Sequence, residues 1–550
     1  MRETHVESDV LCVGGGIAGL MAAIRARELG ASVVVAEKAN TLRSGAAATG
    51  NDHFLCYIPD VHGPDMSPLV AAMRETQLRG IFDTTDKETV RTWLSKTFDI
   101  IQLWESWGIP MKYHGRYDFA GHTFPGQPFF YLKYEGREQK PILTREASGK
   151  GARILNRVMI FDLMRANGAI VGALGISTRE DELFVFKAKA IILGTGTIAR
   201  LYPGLTPAWM FNITRPGSVT GDGRAMGYRA GAELINVELP GSHAGPKYFT
   251  RSGQATWVGV IRDPAGNPVG PFLTRPDKRY SDMIIEVNKG LFNEYAKSGR
   301  GPVYMDCTGI SEEDHEYMMH WMGHEGNSAL VPYFKEEGID LRRNPVEFAT
   351  YGMRGSGGRV WHNVRGETSL PGLYAAGDES IGSGIAETAT SGWIAGQSAA
   401  EYAAKSGVPP QPTQTKLSEW KSLLGEISRR TIGADWKEVN IALQQIMIDY
   451  AGVARSESLL AAGAGHLEKL KKKAYESMTA RNQHELVRGL EVLNLLDVAE
   501  LVFITARERK ETRGLHVRTD YPFTNPLLDR LLVVKKINDR PVLEWRKISR

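Results

Sequence analysis

The stretch Asp9-Val-Leu-Cys-Val-Gly14-Gly-Gly16-Ile-Ala18-Gly19-Leu-Met-Ala-Ala-Ile-Arg-Ala-Arg-Glu-Leu-Gly30, continued by Ala31-Ser-Val-Val-Val-Ala-Glu37-Lys38, decides the fold. An apolar run enters three glycines, a helix-forming run leaves them, and a second apolar run ends on an acid. That order predicts strand, tight turn, helix and strand. Gly14, Gly16 and Gly19 have the GxGxxG spacing. The first permits the sharp turn, the second lets backbone approach a pyrophosphate, and the third allows close helix–strand packing. The helix N-terminus, with Ala18 in its first turn, stabilises diphosphate charge. Glu37, about 20 residues on and followed by Lys38, can accept hydrogen bonds from ribose hydroxyls. Alone the glycines would be weak evidence; with every part in register they point to a bound dinucleotide. They do not choose nicotinamide over flavin.

Two later segments choose FAD. Phe186 to Leu193 reads as a strand running into Gly194-Thr195-Gly196, and Leu370 to Ala376 as another ending in Gly377-Asp378. A helix is predicted from about Ser391 to Lys405. Residues 236–350 lack the βαβ rhythm and read as a separate cap. Around Pro409, Pro410 and Pro412 lies a short linker. From Thr415 to about Arg507 the apolar pattern is helical.

Composition bounds the function. The 550 residues, 42% hydrophobic and 24% charged, can fill a sizeable core, which excludes disorder as the main state. A net charge of +4 is too small for nucleic-acid binding through bulk charge. Glycine, 59 residues without a Gly-X-Y period, must sit in specific turns. Three scattered cysteines, Cys12, Cys56 and Cys307, cannot hold an iron–sulfur cluster of their own. The apolar run after Val10 follows acids and is broken by glycines, unlike a secretory signal. No run reaches the ~18 apolar residues a membrane span needs, and the cytoplasm is the expected compartment.

The chain resembles the fumarate reductase/succinate dehydrogenase flavoprotein superfamily and looks closest to its adenylylsulfate reductase alpha subunits. The resemblance rests on the opening glycines, on Arg43-Ser-Gly-Ala-Ala-Ala-Thr-Gly50, on Gly217-Ser-Val-Thr-Gly-Asp222-Gly and on Gly231 to Glu238. It continues through Leu370 to Asp378 and the tail Arg509-Lys-Glu-Thr-Arg513-Gly-Leu-His516-Val-Arg518-Thr-Asp520-Tyr-Pro522. It implies an α/β fold: a discontinuous Rossmann-like FAD-binding domain (1–235 and 351–408), an inserted α+β capping domain (236–350), a C-terminal helical domain (409–507) and an extension (508–550). It places Ser44, Gly45, Asp222 and Ser391 with the glycine turns at the cofactor, and gives Arg513, His516 and Arg518 a structural role. Relatives that bind FAD covalently carry a histidine where this chain has Ser44, so the expected cofactor is non-covalent FAD.

The departures bear on substrate. His243 retains a family histidine, but Ala255 stands at the proton-donating arginine, with Arg251 and Arg262 nearby. Met353 replaces a second histidine, and Gly384 to Thr390 contains no arginine. A dicarboxylate needs two cationic clamps and a proton donor. Fumarate reduction is therefore disfavoured. Pro240 and the surroundings of Tyr351 likewise fail to match the adenylylsulfate site. The candidate catalytic residues are His243, Arg354 in its glycine turn, Glu387 among small residues, and His53 and Tyr57 beyond the Ser44 segment. No metal is expected: His315, His320 and His324, the last two spaced i,i+4, read as part of a partly buried cap helix. The implied function is an FAD-dependent oxidoreductase passing electrons between a small acidic organic or sulfur-containing substrate and a ferredoxin-like iron–sulfur subunit, in a hetero-oligomer. The alternative is an electron-transfer flavosubunit with little substrate chemistry.

Overall fold

The structure, a computed structural model, describes residues 1–76, 86–121, 123, 126–204, 215–241, 244–247, 257–269, 273–280, 294–295, 297–325, 329–350, 353, 355, 358–380, 384–410 and 414–548. At its centre the strand Arg2–Val13 pairs in parallel with Val33–Glu37 on one side and Glu182–Leu193 on the other. Val33–Glu37 is buried at every residue, as an unbroken apolar run in a parallel sheet should be. Arg153–Asn156 extends the sheet beyond it. Two antiparallel strands, Ala169–Ser177 and Val158–Ala166, follow Glu182–Leu193, and Leu373–Ala375 adds in parallel to that strand's end. The first strand begins at Arg2, seven residues before Asp9, because its polar half is held by Glu182–Ala188 across the sheet.

Two helices cross behind the glycine turn, Ile17–Glu28 and Ile385–Lys405. Their backbones touch. A Cβ on Gly392 would lie 2.4 Å from the Ala18 carbonyl oxygen, and one on Gly396 2.4 Å from that of Ala22. This contact aims the N-terminus of the second helix at the cofactor turn. That helix starts at Ile385, not near Ser391, because Gly384 and the small residues after it carry no strong start signal.

A separate four-stranded sheet joins Ala244–Pro246, Val346–Thr350, Val303–Asp306 and Val260–Arg262 in that order. The helix Glu312–His324 packs on it through Met318 and Met322. Four helices follow: Gln414–Arg429, Trp436–Ala451, Glu457–Ser477 and Gln483–Glu508. The last is buried along most of its length and centres a second core. The hairpin Leu531–Ile537/Arg540–Arg546 then returns to pair Val533 and Val534 with Ile235 and Leu234.

Candidate functional site: the dinucleotide cavity

A cavity opens where the central strands end, bordered by Gly14, Gly16, Gly194, Gly196 and Gly377. Sterics force the glycines. A Cβ on Gly14 would lie 2.5 Å from the Gly194 carbonyl oxygen, and one on Gly19 1.8 Å from that of Gly14. Gly16 is different: nothing lies within 4 Å of its absent Cβ, so its bare backbone faces the room a pyrophosphate needs. Ser44 Oγ, also on the lining, is buried without a hydrogen-bond partner. An open glycine turn, a helix N-terminus and an orphaned hydroxyl fit a flavin dinucleotide.

The remaining lining divides by task. Ala18, Gly45, Thr195 and Asp378 border the cavity. Glu37 borders it too, while its carboxylate accepts the Gly15 and Ala39 amides at 2.7 Å each. Two of its lone-pair directions remain for ribose hydroxyls. Gly19 and Ser391 stand behind the wall. Ser391 Oγ accepts the Gly377 amide at 2.9 Å and so fixes the turn that precedes Asp378.

Lys38 and Asp222 reach the lining with their charged ends turned to each other, at 2.6 Å. Lys38 also meets Glu491 at 3.1 Å, and Asn494 Nδ2 donates to Asp222 at 2.8 Å. Arg200 and Arg488 complete the cluster on Glu491. Burial opposes charge here, yet Lys38, Arg200 and Arg488 together hold the Glu491 carboxyl at about 2. Burial likewise opposes the Lys38 ammonium, but Asp222 and Glu491 raise it above its ordinary value. Lys38 and Asp222, both expected at the cofactor, border the cavity, and their charges tie the flavin sheet to the C-terminal helices.

Lys140, which the sequence does not single out, donates to the Gly15 carbonyl from inside the protein. Burial pushes its ammonium down to about 8, with the Glu37 charge opposing. It sits in the helix Gln139–Gly149 with no local signal. Glu379 escapes sequence reasoning as well. It is fully buried, accepts from Thr195 Oγ1 and lies 3.7 Å from Arg224, and burial pushes its carboxyl up.

Among the candidate catalytic residues, His243 and Arg354 lie outside the described residues, as do Arg251 and Ala255. His53 and Tyr57 do not border the cavity. His53 Nδ1 is 2.8 Å from Asp52 Oδ1, and Asp52 in turn pairs with the buried Lys133 at 2.7 Å. The Tyr57 hydroxyl donates to the Gly63 carbonyl at 2.6 Å, and its ring stacks on His62. Both hold the fold of their own segment. Arg262 is likewise engaged, by Asp306 at 2.7 Å. Glu387 lies in the first turn of Ile385–Lys405, whose neighbouring residues Gly384, Ile385 and Thr388 line the cavity. Its Oε2 is buried without a partner, and burial pushes its carboxyl up to about 7.

A sheet with this glycine turn, and with further glycine-bearing turns converging on one cavity, defines a flavin-dinucleotide fold. Residues 9–392 match the FAD binding domain family and residues 440–549 the fumarate reductase flavoprotein C-terminal family. The chain belongs to the former, and it is an FAD-dependent oxidoreductase of the fumarate reductase/aspartate oxidase type. It is 26% identical to one subunit of the fumarate reductase (CoM/CoB) of Methanothermobacter marburgensis, with 98% of each chain covered. It is 25% identical to the L-aspartate oxidase of Streptomyces coelicolor, covering 97% of this chain and 92% of that one. Its fold superposes on adenylylsulfate reductase from Archaeoglobus fulgidus with a TM-score of 0.85 at 22% identity, covering 100% of this chain and 97% of that one. No helix among the described residues is long and apolar enough to cross a membrane.

Proposed function

We propose that the chain is the flavoprotein subunit of a hetero-oligomer, moving electrons between a small acidic organic or sulfur-containing substrate and a ferredoxin-like iron–sulfur partner. Bound FAD supplies the two-electron chemistry. Residues 236–350 form the cap over the substrate, His243 takes a substrate or proton-transfer role, and Arg354 serves as an anion-binding cation. The observation that carries the reading is Glu387. A carboxyl beside the cavity, with one oxygen buried without a partner and its pKa pushed up by burial to about 7, can hold or deliver a proton at neutral pH. Reducing an unsaturated acid consumes two electrons and two protons; both electrons and one proton arrive as hydride from bound FAD, and Glu387 supplies the other proton and regains it from solvent.

The partner is inferred from the family resemblance and from the cysteines: Cys12, Cys56 and Cys307 are all buried and free, on separate segments. A second reading, an electron-transfer protein with little substrate chemistry, is favoured by Met353, which packs against the helical core at a position where the family carries a histidine. Assaying the FAD-loaded chain with reduced viologen against unsaturated and sulfur-containing acids separates the two. Turnover of any of them supports the first reading. Silence across the panel with rapid ferredoxin oxidation supports the second. The FAD is non-covalent on this proposal, so acid precipitation releases all flavin to the supernatant; flavin fluorescence on the denatured band would contradict it.

A further inference from the structure

Away from the dinucleotide cavity, three metal-ligating side chains from two parts of the chain converge. His320 and His324 stand one turn apart on the helix Glu312–His324, with ring centroids 4.9 Å apart. Glu135 follows the strand Tyr131–Lys133, its backbone anchored to the Pro110 carbonyl at 3.0 Å. Its carboxylate lies 3.5 Å from His320 Nε2 and 3.9 Å from His324 Nε2, and one ligand atom from each of the three residues falls within 4.8 Å of the others. His320 Nε2 is buried with no hydrogen-bond partner, and so is His324 Nδ1.

We propose that Glu135, His320 and His324 bind one divalent ion of the zinc class, which latches the helix of the inserted sheet to the flavin domain. The contacts are too long for good hydrogen bonds but close to the ligand–ligand spacing of about 3.3 Å that a tetrahedral zinc at ~2.0–2.1 Å imposes. The adjoining trio Asp52, His53 and Glu325 is a contrast: the Lys133 ammonium already sits 2.7 Å from Asp52. The latch also abuts the cofactor segment. A Cβ on Gly50, which closes the segment beginning at Arg43, would lie 2.3 Å from the His324 carbonyl oxygen.

The test uses the full FAD-loaded chain, stripped with chelator, desalted and titrated with Zn²⁺ by calorimetry, with metal analysis after gel filtration. One equivalent should bind and raise the Tm. His320→Gln and Glu135→Gln should each weaken binding by about tenfold or more while keeping their FAD and the metal-free Tm. The two substitutions lie on different elements, so misfolding of one leaves the other to decide. Absence of stoichiometric zinc in the unaltered chain, or undiminished binding in the folded variants, overturns the proposal.

Discussion

The glycine turn and the charged lock beneath it meet at Lys38 but work by different physics. Around Gly14 and Gly19 the constraint is contact between backbones, which admits no side chain at all. Around Lys38, Asp222 and Glu491 it is charge balance in a buried site, which fails by degrees according to what is left unpaired. A contact limit of this kind is absolute and local. A charge balance is graded and spans the whole chain.

The largest effect is therefore expected at the turn. Gly19→Ala places a methyl 1.8 Å from the Gly14 carbonyl and should abolish FAD retention, costing more than ~4 kcal/mol, read by flavin content and Tm. Gly16→Ala sharpens the point, since its methyl meets no protein atom within 4 Å. That variant should fold at nearly unchanged Tm as apoprotein and lose only FAD affinity. If both variants behave alike, contact is not what distinguishes the two positions.

Next comes the lock. Glu491→Ala leaves Lys38, Arg200 and Arg488 without their shared carboxylate and should cost about 3–5 kcal/mol in denaturant unfolding. An effect under ~1 kcal/mol would show that solvent replaces the carboxylate and that no buried balance exists.

Glu387 follows. Its carboxyl is raised from 4.5 to about 7 in the folded chain, so folding favours the protonated form. The associated stability is complete below pH ~4.5 and is lost as pH rises through ~7. Relative to Glu387→Gln, the unaltered chain should lose up to about 3 kcal/mol across that window. A pH-independent difference between the two proteins would remove the basis for its proton-holding role. The smallest effect belongs to Arg43, whose bridge to Glu138 at 3.0 Å is half exposed at both ends. Arg43→Ala should change stability by less than ~1 kcal/mol.

The same division explains what is legible in the sequence. Gly14, Gly16, Gly19 and Glu37 can be read because a strand–turn–helix–strand unit carries its own instructions within thirty residues. Gly194, Gly377 and Asp378 can be read because each ends an apolar run. The charge partners of Lys38, Asp222 and Glu491, cannot be read because they lie far along the chain, and no period or spacing links them. The placement of His53 and Tyr57 cannot be read either: the strand His53–Leu55 pairs with Tyr131–Lys133, and neither residue borders the dinucleotide cavity. Nothing short of the fold joins Glu135 to His320 and His324.

The pairing of Val533 and Val534 with Ile235 and Leu234 sets a clock on synthesis. The short strand at Leu234 leaves the ribosome nearly 300 residues before its partner. At ~5–20 residues per second, roughly 15–60 s pass with that edge uncovered. Through that interval the edge of the two-residue strand Leu234–Ile235 waits for its C-terminal partner, and its shortness limits what else can add to it.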